Sequence, residues 1–120
     1  MNILHIANDF CYTKVHANLY KLLDEKGVIQ TIYNPVRDAS CVGRNKFDGS
    51  NTKIVYSHVV KSFHRYFYHI KRYTILRDLL KKVDVKKINL CHATTLFTDG
   101  GLAYQLYKRF HIPYVTFSAL

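Results

Sequence analysis

The strongest constraint on this chain is an alternation of two hydrophobic periods. Five short apolar runs punctuate it: Asn2 to Ala7 (NILHIA), Val28 to Tyr33 (VIQTIY), Lys53 to Ser57 (KIVYS), Ile88 to Ala93 (INLCHA) and Pro113 to Phe117 (PYVTF). Runs of this kind suit strands buried on both sides, as in a parallel sheet. Stretches of helical spacing lie between them. From Thr13 the residues Val15, Leu19, Leu22 and Leu23 recur at that spacing, with Gly27 in the place of a C-cap. Residues 59 to 83 hold the longest helical pattern, with Phe63, Tyr66, Phe67, Ile70, Tyr73, Leu76, Leu80 and Val83 on one stripe. Leu102, Ala103, Leu106, Tyr107 and Phe110 mark another helix. Strand and helix in turn predict an α/β fold: a Rossmann-like, doubly wound, mainly parallel sheet of about five strands with helices on both faces.

The 120 residues are enough for one domain with a genuine core, since 48% are hydrophobic. Eighteen Lys and Arg against eight Asp and Glu leave a formal charge of +10, which favours an anionic partner: phosphate groups, nucleic acid or an acidic membrane surface. Cys11, Cys41 and Cys91 are odd in number and widely spaced, so they argue for neither a disulfide framework nor a zinc site, and a reducing cytoplasm is expected. The N-terminus has no signal-peptide pattern, and no apolar run reaches the roughly 18 residues of a membrane span.

In doubly wound sheets ligands bind beyond the carboxyl ends of the strands. Two segments fall there. His92 sits at the tip of the fourth run, followed by Thr94, Thr95, Thr98, Asp99, Gly100 and Gly101 at the handover to a helix. Thr98 reads as an N-cap, with the glycines leaving first-turn amides open to a ligand oxygen. The alternative is a satisfied strand-end histidine and glycines that only permit close helix packing. The first crossover supplies Asn8, Asp9, Lys14 and His16 at a second strand end. Lys14 suits a phosphate or is an ordinary solvated lysine, and Asn8 and Asp9 are equally natural turn and cap residues. No GxGxxG is present, which argues against a dinucleotide clamp.

The blocks MNILHIANDF, TKVHANLYKLLDEKGVIQTIYNPVR and above all CHATTLFTDGGLAYQLYKRFHIPYVTF resemble the N-terminal domain of a family-four glycosyltransferase of GT-B fold, of the kind that builds bacterial surface polysaccharides. The resemblance implies an enzyme of two Rossmann-like domains, with catalysis in the cleft between them and no metal needed for the chemistry. This chain would supply the acceptor side, for a saccharide or lipid-linked acceptor. The nucleotide-sugar donor would be held by a C-terminal domain that the chain lacks, so the isolated fragment is expected to be inactive and to bind no cofactor of its own. By this resemblance His92 takes the catalytic position, orienting acceptor or sugar, and Asn8, Asp9, Lys14, His16, Thr95, Asp99 and Gly100 line the acceptor site. Two departures stand out: Asp9 to Lys14 occupy the place of the glycine-rich turn that relatives often carry, and Ser118 ends the match where relatives often carry further polar groups.

Lys61, Arg65, Tyr68 and Arg72, with Lys81 and Lys82 beyond, form a basic face on the long helical stretch. It suits either plain solvation or peripheral contact with an anionic membrane carrying a lipid-linked acceptor. The competing function is a non-catalytic basic module that binds nucleic acid or a phosphorylated partner. No RNP-like, zinc or helix-turn-helix signal supports it, so nucleic acid is not expected.

Overall fold

The computed structural model describes residues 1–36, 38–59, 67–95 and 98–116. The expectations that fall on Lys61, Phe63, Arg65, Tyr66, Phe117 and Ser118 lie outside the described residues. The elements are β1 (Asn2–Ile6), α1 (Lys14–Glu25), β2 (Ile29–Pro35), β3 (Thr52–Ser57), α2 (Tyr68–Lys82), β4 (Leu90–Ala93), α3 (Thr98–Phe110) and β5 (Tyr114–Thr116). The five strands form one sheet in the order β3-β2-β1-β4-β5, and every pairing is parallel. The strand order reverses between β1 and β4, which is where such a sheet opens a crevice.

Alternation along the strands sends Leu4, Ile6, Cys91 and Ala93 to one face. There they pack with Ile75, Leu76 and Leu79 of α2 and Leu102, Ala103 and Leu106 of α3. The opposite face of β1 and β2 is covered by α1, through Ala17 and Tyr20 against Ala7, Phe10 and Ile32. Helices therefore lie on both faces. Over β4 and β5 the α1 face is more open, and Val115 is 50% exposed.

Each terminus has a local cause. Thr13 caps α1 by accepting a bond from the Val15 amide, and Gly27, at φ 83°, takes the left-handed turn that follows the helix. The strand β2 continues through Asn34 and Pro35, two residues beyond the apolar run that ends at Tyr33. Tyr33 bonds toward β1 and Val36 toward β3, so the missing N–H of Pro35 faces the β1 side, beyond the end of β1. His111 ends α3 in the left-handed region, at φ 58°, with Pro113 two residues on.

Two helix faces differ from expectation. On α1 the residues Val15, Leu19 and Leu22 are exposed, and Ala17, Tyr20 and Asp24 are buried. Of the predicted stripe on α2, Leu76 and Val83 are buried as expected, but Phe67, Ile70 and Tyr73 are exposed, and Lys71, Ile75 and Leu79 are buried instead. The helix is turned by roughly one residue's rotation, ~100°, from the predicted stripe. Aliphatic side chains pack the sheet face, and Lys71 is buried on this helix as well. Cys11 and Cys41, distant in sequence, meet in a small buried cluster with Val36; both are free thiols.

Candidate functional site

At the reversal point β1 and β4 run side by side, and the register pairs His5 with His92. Both rings therefore project on the α1 face. Their Nδ1 atoms are 3.0 Å apart. His5 is buried, stacked on Tyr20 with ring centroids 4.0 Å apart, and its Nε2 lies 2.8 Å from Gln30 Oε1. Burial pushes the His5 imidazole down to about 3, so the ring is neutral at physiological pH. His92 is half-buried, and it too is held below the usual histidine range, first by burial and then by the neighbouring His16. Its Nε2 has no partner among the described residues.

A second group of side chains closes the other side of the crevice. The Asn8 backbone amide donates to Asp99 Oδ2 at 3.2 Å, so the loop after β1 is tied to the start of α3. His16 Nε2 is 3.2 Å from Asp9 Oδ2 and stacks on Tyr20. That contact is the main reason the Asp9 carboxyl lies below its ordinary value, against the opposing effect of burial. The Thr94 hydroxyl oxygen is 2.9 Å from Asp9 Oδ1 and 2.9 Å from Asp99 Oδ2. One hydroxyl proton cannot serve both. Asp99 is fully buried and its carboxyl is pushed up to about 6, chiefly by desolvation, so Asp99 is the member that takes the extra proton as pH falls. Its Oδ1 and the Tyr20 hydroxyl are buried without hydrogen-bond partners. Each such orphan costs on the order of 1–3 kcal/mol, and burial together with Asp9 and Asp99 raises the Tyr20 phenol.

The expected residues thus divide. His92, Asp9, His16 and Asp99, with the Asn8 amide, are brought together around the reversal point. Lys14 stands exposed at the first position of α1. Thr98 is the first residue of α3 rather than its cap. The open first-turn amides are not found at Asp99 and Gly100. The Asp99 amide donates to Thr95 Oγ1 at 3.3 Å and the Gly100 amide to the Thr95 carbonyl at 2.8 Å, because Thr95 folds back over the helix start. A Cβ on Gly100 would meet Thr116 Cγ2 and the Thr95 carbonyl oxygen at 3.2 Å each, so this glycine serves close packing. His5, Gln30, Tyr20 and Thr94 were not singled out in the sequence as site residues. The signal available was a histidine inside an apolar strand, but its pairing with His92 depends on register.

A second region lies away from this crevice. Lys53, Lys81, Lys82 and Lys86 with Asp84 and Phe110 border a hollow of about 580 Å³ beside the ends of α2 and α3. The exposed side of α2 carries Phe67, Ile70, Tyr73, Arg77 and Lys81. Arg72, expected on the basic face, is half-buried. No helix among the described residues is long and apolar enough to cross a membrane.

No protein-family model matches the chain, and no curated protein matches it in sequence.

Proposed function

We propose that this chain forms the acceptor side of a glycosyltransferase cleft, and that the crevice between β1 and β4 holds a hydroxyl-bearing saccharide or lipid-linked saccharide. The observation that carries the reading is the chemistry of the crevice in a strongly basic chain. Neutral His92 and the Asp9 carboxyl line it, with the Thr94 hydroxyl and the Asp99 carboxyl buried behind Asp9, a set rich in acceptors. Such a lining suits sugar hydroxyls, which donate, better than phosphate oxygens, which only accept when ionised. The sheet order agrees with it, since the acceptor would lie beyond the carboxyl ends of β1 and β4. In the enzymes that the chain resembles, a second domain holds the nucleotide-sugar, and transfer is displacement at the sugar C1 by the acceptor hydroxyl. Here His92 would orient that hydroxyl by accepting its hydrogen bond.

In this reading the protein acts in the cytoplasm at a membrane surface. The contact would use the exposed side of α2, where Tyr73, Phe67 and Ile70 stand beside Arg77 and Lys81, rather than the Arg72 side. The test is paired titration. Amide signals of Asn8, His92 and Thr94 should move with oligosaccharides of bacterial surface type, while UDP-linked sugars should give no saturable heat in calorimetry. A tight UDP-sugar complex would put the donor site here and overturn the assignment. Tighter binding of single-stranded RNA than of any saccharide would favour the basic-module alternative.

A further inference from the structure

The Gln30 side chain, buried beneath α1, has its orientation dictated by groups that leave no choice. Its Nε2 lies 2.6 Å from the Tyr20 carbonyl oxygen, which can only accept, and 2.9 Å from Thr52 Oγ1. The Thr52 hydroxyl proton is directed to Asp24 Oδ2, so Thr52 Oγ1 accepts from Gln30. The amide N–H groups are therefore both used, and Gln30 presents its oxygen to His5. At 2.8 Å from that oxygen, His5 Nε2 must carry a proton and donate. A neutral imidazole has one N–H, so His5 Nδ1 is a lone pair. His92 Nδ1, 3.0 Å away, must then donate to it. Each proton in the chain points inward, from His92 to His5, to Gln30, to Thr52, to Asp24. What is left at the crevice is the unprotonated Nε2 of His92.

We propose that Gln30 and His5 are positioning residues that hold His92 in its Nδ1–H tautomer, so that Nε2 faces the crevice as an acceptor for an O–H or N–H donor of the ligand. The ligand half of this statement rests on the saccharide reading; the tautomer half stands on the hydrogen-bond geometry alone. The depressed titration of His5 supports it, because a doubly protonated His5 would present an N–H to His92 and reverse the order. Tyr20 stabilises the arrangement by stacking on His5 and meeting the edge of His92 at 6.4 Å between centroids.

Long-range nitrogen–proton correlation spectra of the histidine rings, recorded on the unliganded chain near pH 7.5, test the chain of donors directly. The expected spectrum shows His92 with a pyrrole-type Nδ1 and a pyridine-type Nε2, and His5 with the opposite assignment. A pyridine-type Nδ1 on His92 overturns the proposal whatever ligand binds. The variant His5→Phe keeps a ring against Tyr20 and removes the acceptor. In it the Nδ1–H form of His92 should fall from the sole detectable form to a minor one, a change that loss of packing alone would not produce. An unchanged tautomer in a folded His5→Phe chain would also overturn it. Should that variant fail to fold, the unsubstituted spectrum still decides. The expected tautomer together with no response to any oligosaccharide would support the relay and count against the saccharide reading, so the two fail separately.

Discussion

Along β1 the side chains of Leu4 and Ile6 enter one face of the sheet and that of His5 enters the other, and the two faces have been filled by different chemistry. Beneath α2 and α3 the residues around β1 and β4 are aliphatic and closed: Leu4, Ile6, Cys91, Ala93, Ile75, Leu79, Leu102 and Leu106 are all buried. Under α1 the same two strands carry imidazoles, and with Gln30 and Tyr20 they form a polar layer with a defined direction of hydrogen bonding. The comparison teaches how one sheet divides its tasks. Close packing on one side supplies stability and needs no particular orientation of polar groups, while the other side uses the rigidity so obtained to aim a lone pair at the crevice.

Four experiments sharpen or break that division. The largest effect is expected on the aliphatic face: Leu79→Ala should lower stability by about 2–5 kcal/mol in denaturant unfolding, yet leave the His92 tautomer unchanged. A shifted tautomer would mean that the two faces are coupled rather than divided. On the polar face, acid should act through His5. Its folded value of about 3 lies below the unfolded value near 6.5, so the unfolded chain takes up the proton first. Stability is then fully present above pH 6.5 and is lost at about 1.4 kcal/mol per pH unit as pH falls toward 3. Relative to His5→Phe, the unsubstituted chain should lose stability progressively as pH falls through that window. A difference independent of pH would refute a neutral buried His5.

Asp99 works in the opposite sense. Its folded value of about 6 lies above the unfolded one, so the folded chain binds this proton more tightly and the contribution declines as pH rises from about 4 to 6. Asp99→Asn should therefore be more stable than the unsubstituted chain at pH 7.5, by an amount on the order of 1–3 kcal/mol, with the advantage vanishing below about pH 4. An Asp99→Asn variant that is less stable at pH 7.5 would show that the ionised carboxyl is held by its donors and not merely tolerated. The smallest stability effect belongs to the outer side of α2. Arg77→Gln with Lys81→Gln should change the unfolding midpoint very little, within about 0.5 kcal/mol, because exposed charges contribute little. Sedimentation with acidic lipid vesicles at low salt should nevertheless weaken. Unaltered sedimentation would remove this helix from the membrane contact.

Much of the fold was legible because each strand is a compact apolar run and each helix has its own period. The five strands, their alternation with helices and the gathering of the first crossover with the segment after β4 all follow from local pattern plus the rule for doubly wound sheets. The candidate site was legible only where a residue lies in a loop, at a strand tip or in the first turn of a helix, as Asp9, His92, His16 and Asp99 do. His5 was hidden because a buried histidine inside NILHI looks like part of a core, and its meaning comes from the register with β4, which no local window contains. The α2 face was misjudged in part, for a different reason: large aromatic side chains dominate a helical stripe in sequence, whereas the sheet accepted Ile75 and Leu79 beside the expected Leu76. Thr95 was expected at the site, but its turn back over the start of α3 was not legible. Whether a helix start is open or covered depends on how one hydroxyl and one carbonyl turn back, which no local pattern states.

The partners that meet at the crevice are remote along the chain. His5 and His92 are 87 residues apart, Asn8 and Asp99 are 91 apart, and Asp9 and Thr94 are 85 apart. Bringing such segments together carries a loop-closure entropy that neighbouring contacts on β2 and β3 do not meet, and contacts of this range form slowly. The pairing of β1 with β4 is thus the step on which the crevice waits during folding. A chain refolding from denaturant should regain helical signal before the two imidazoles meet, which makes the His92 ring resonance a clock for the last closure of the sheet rather than for its first collapse.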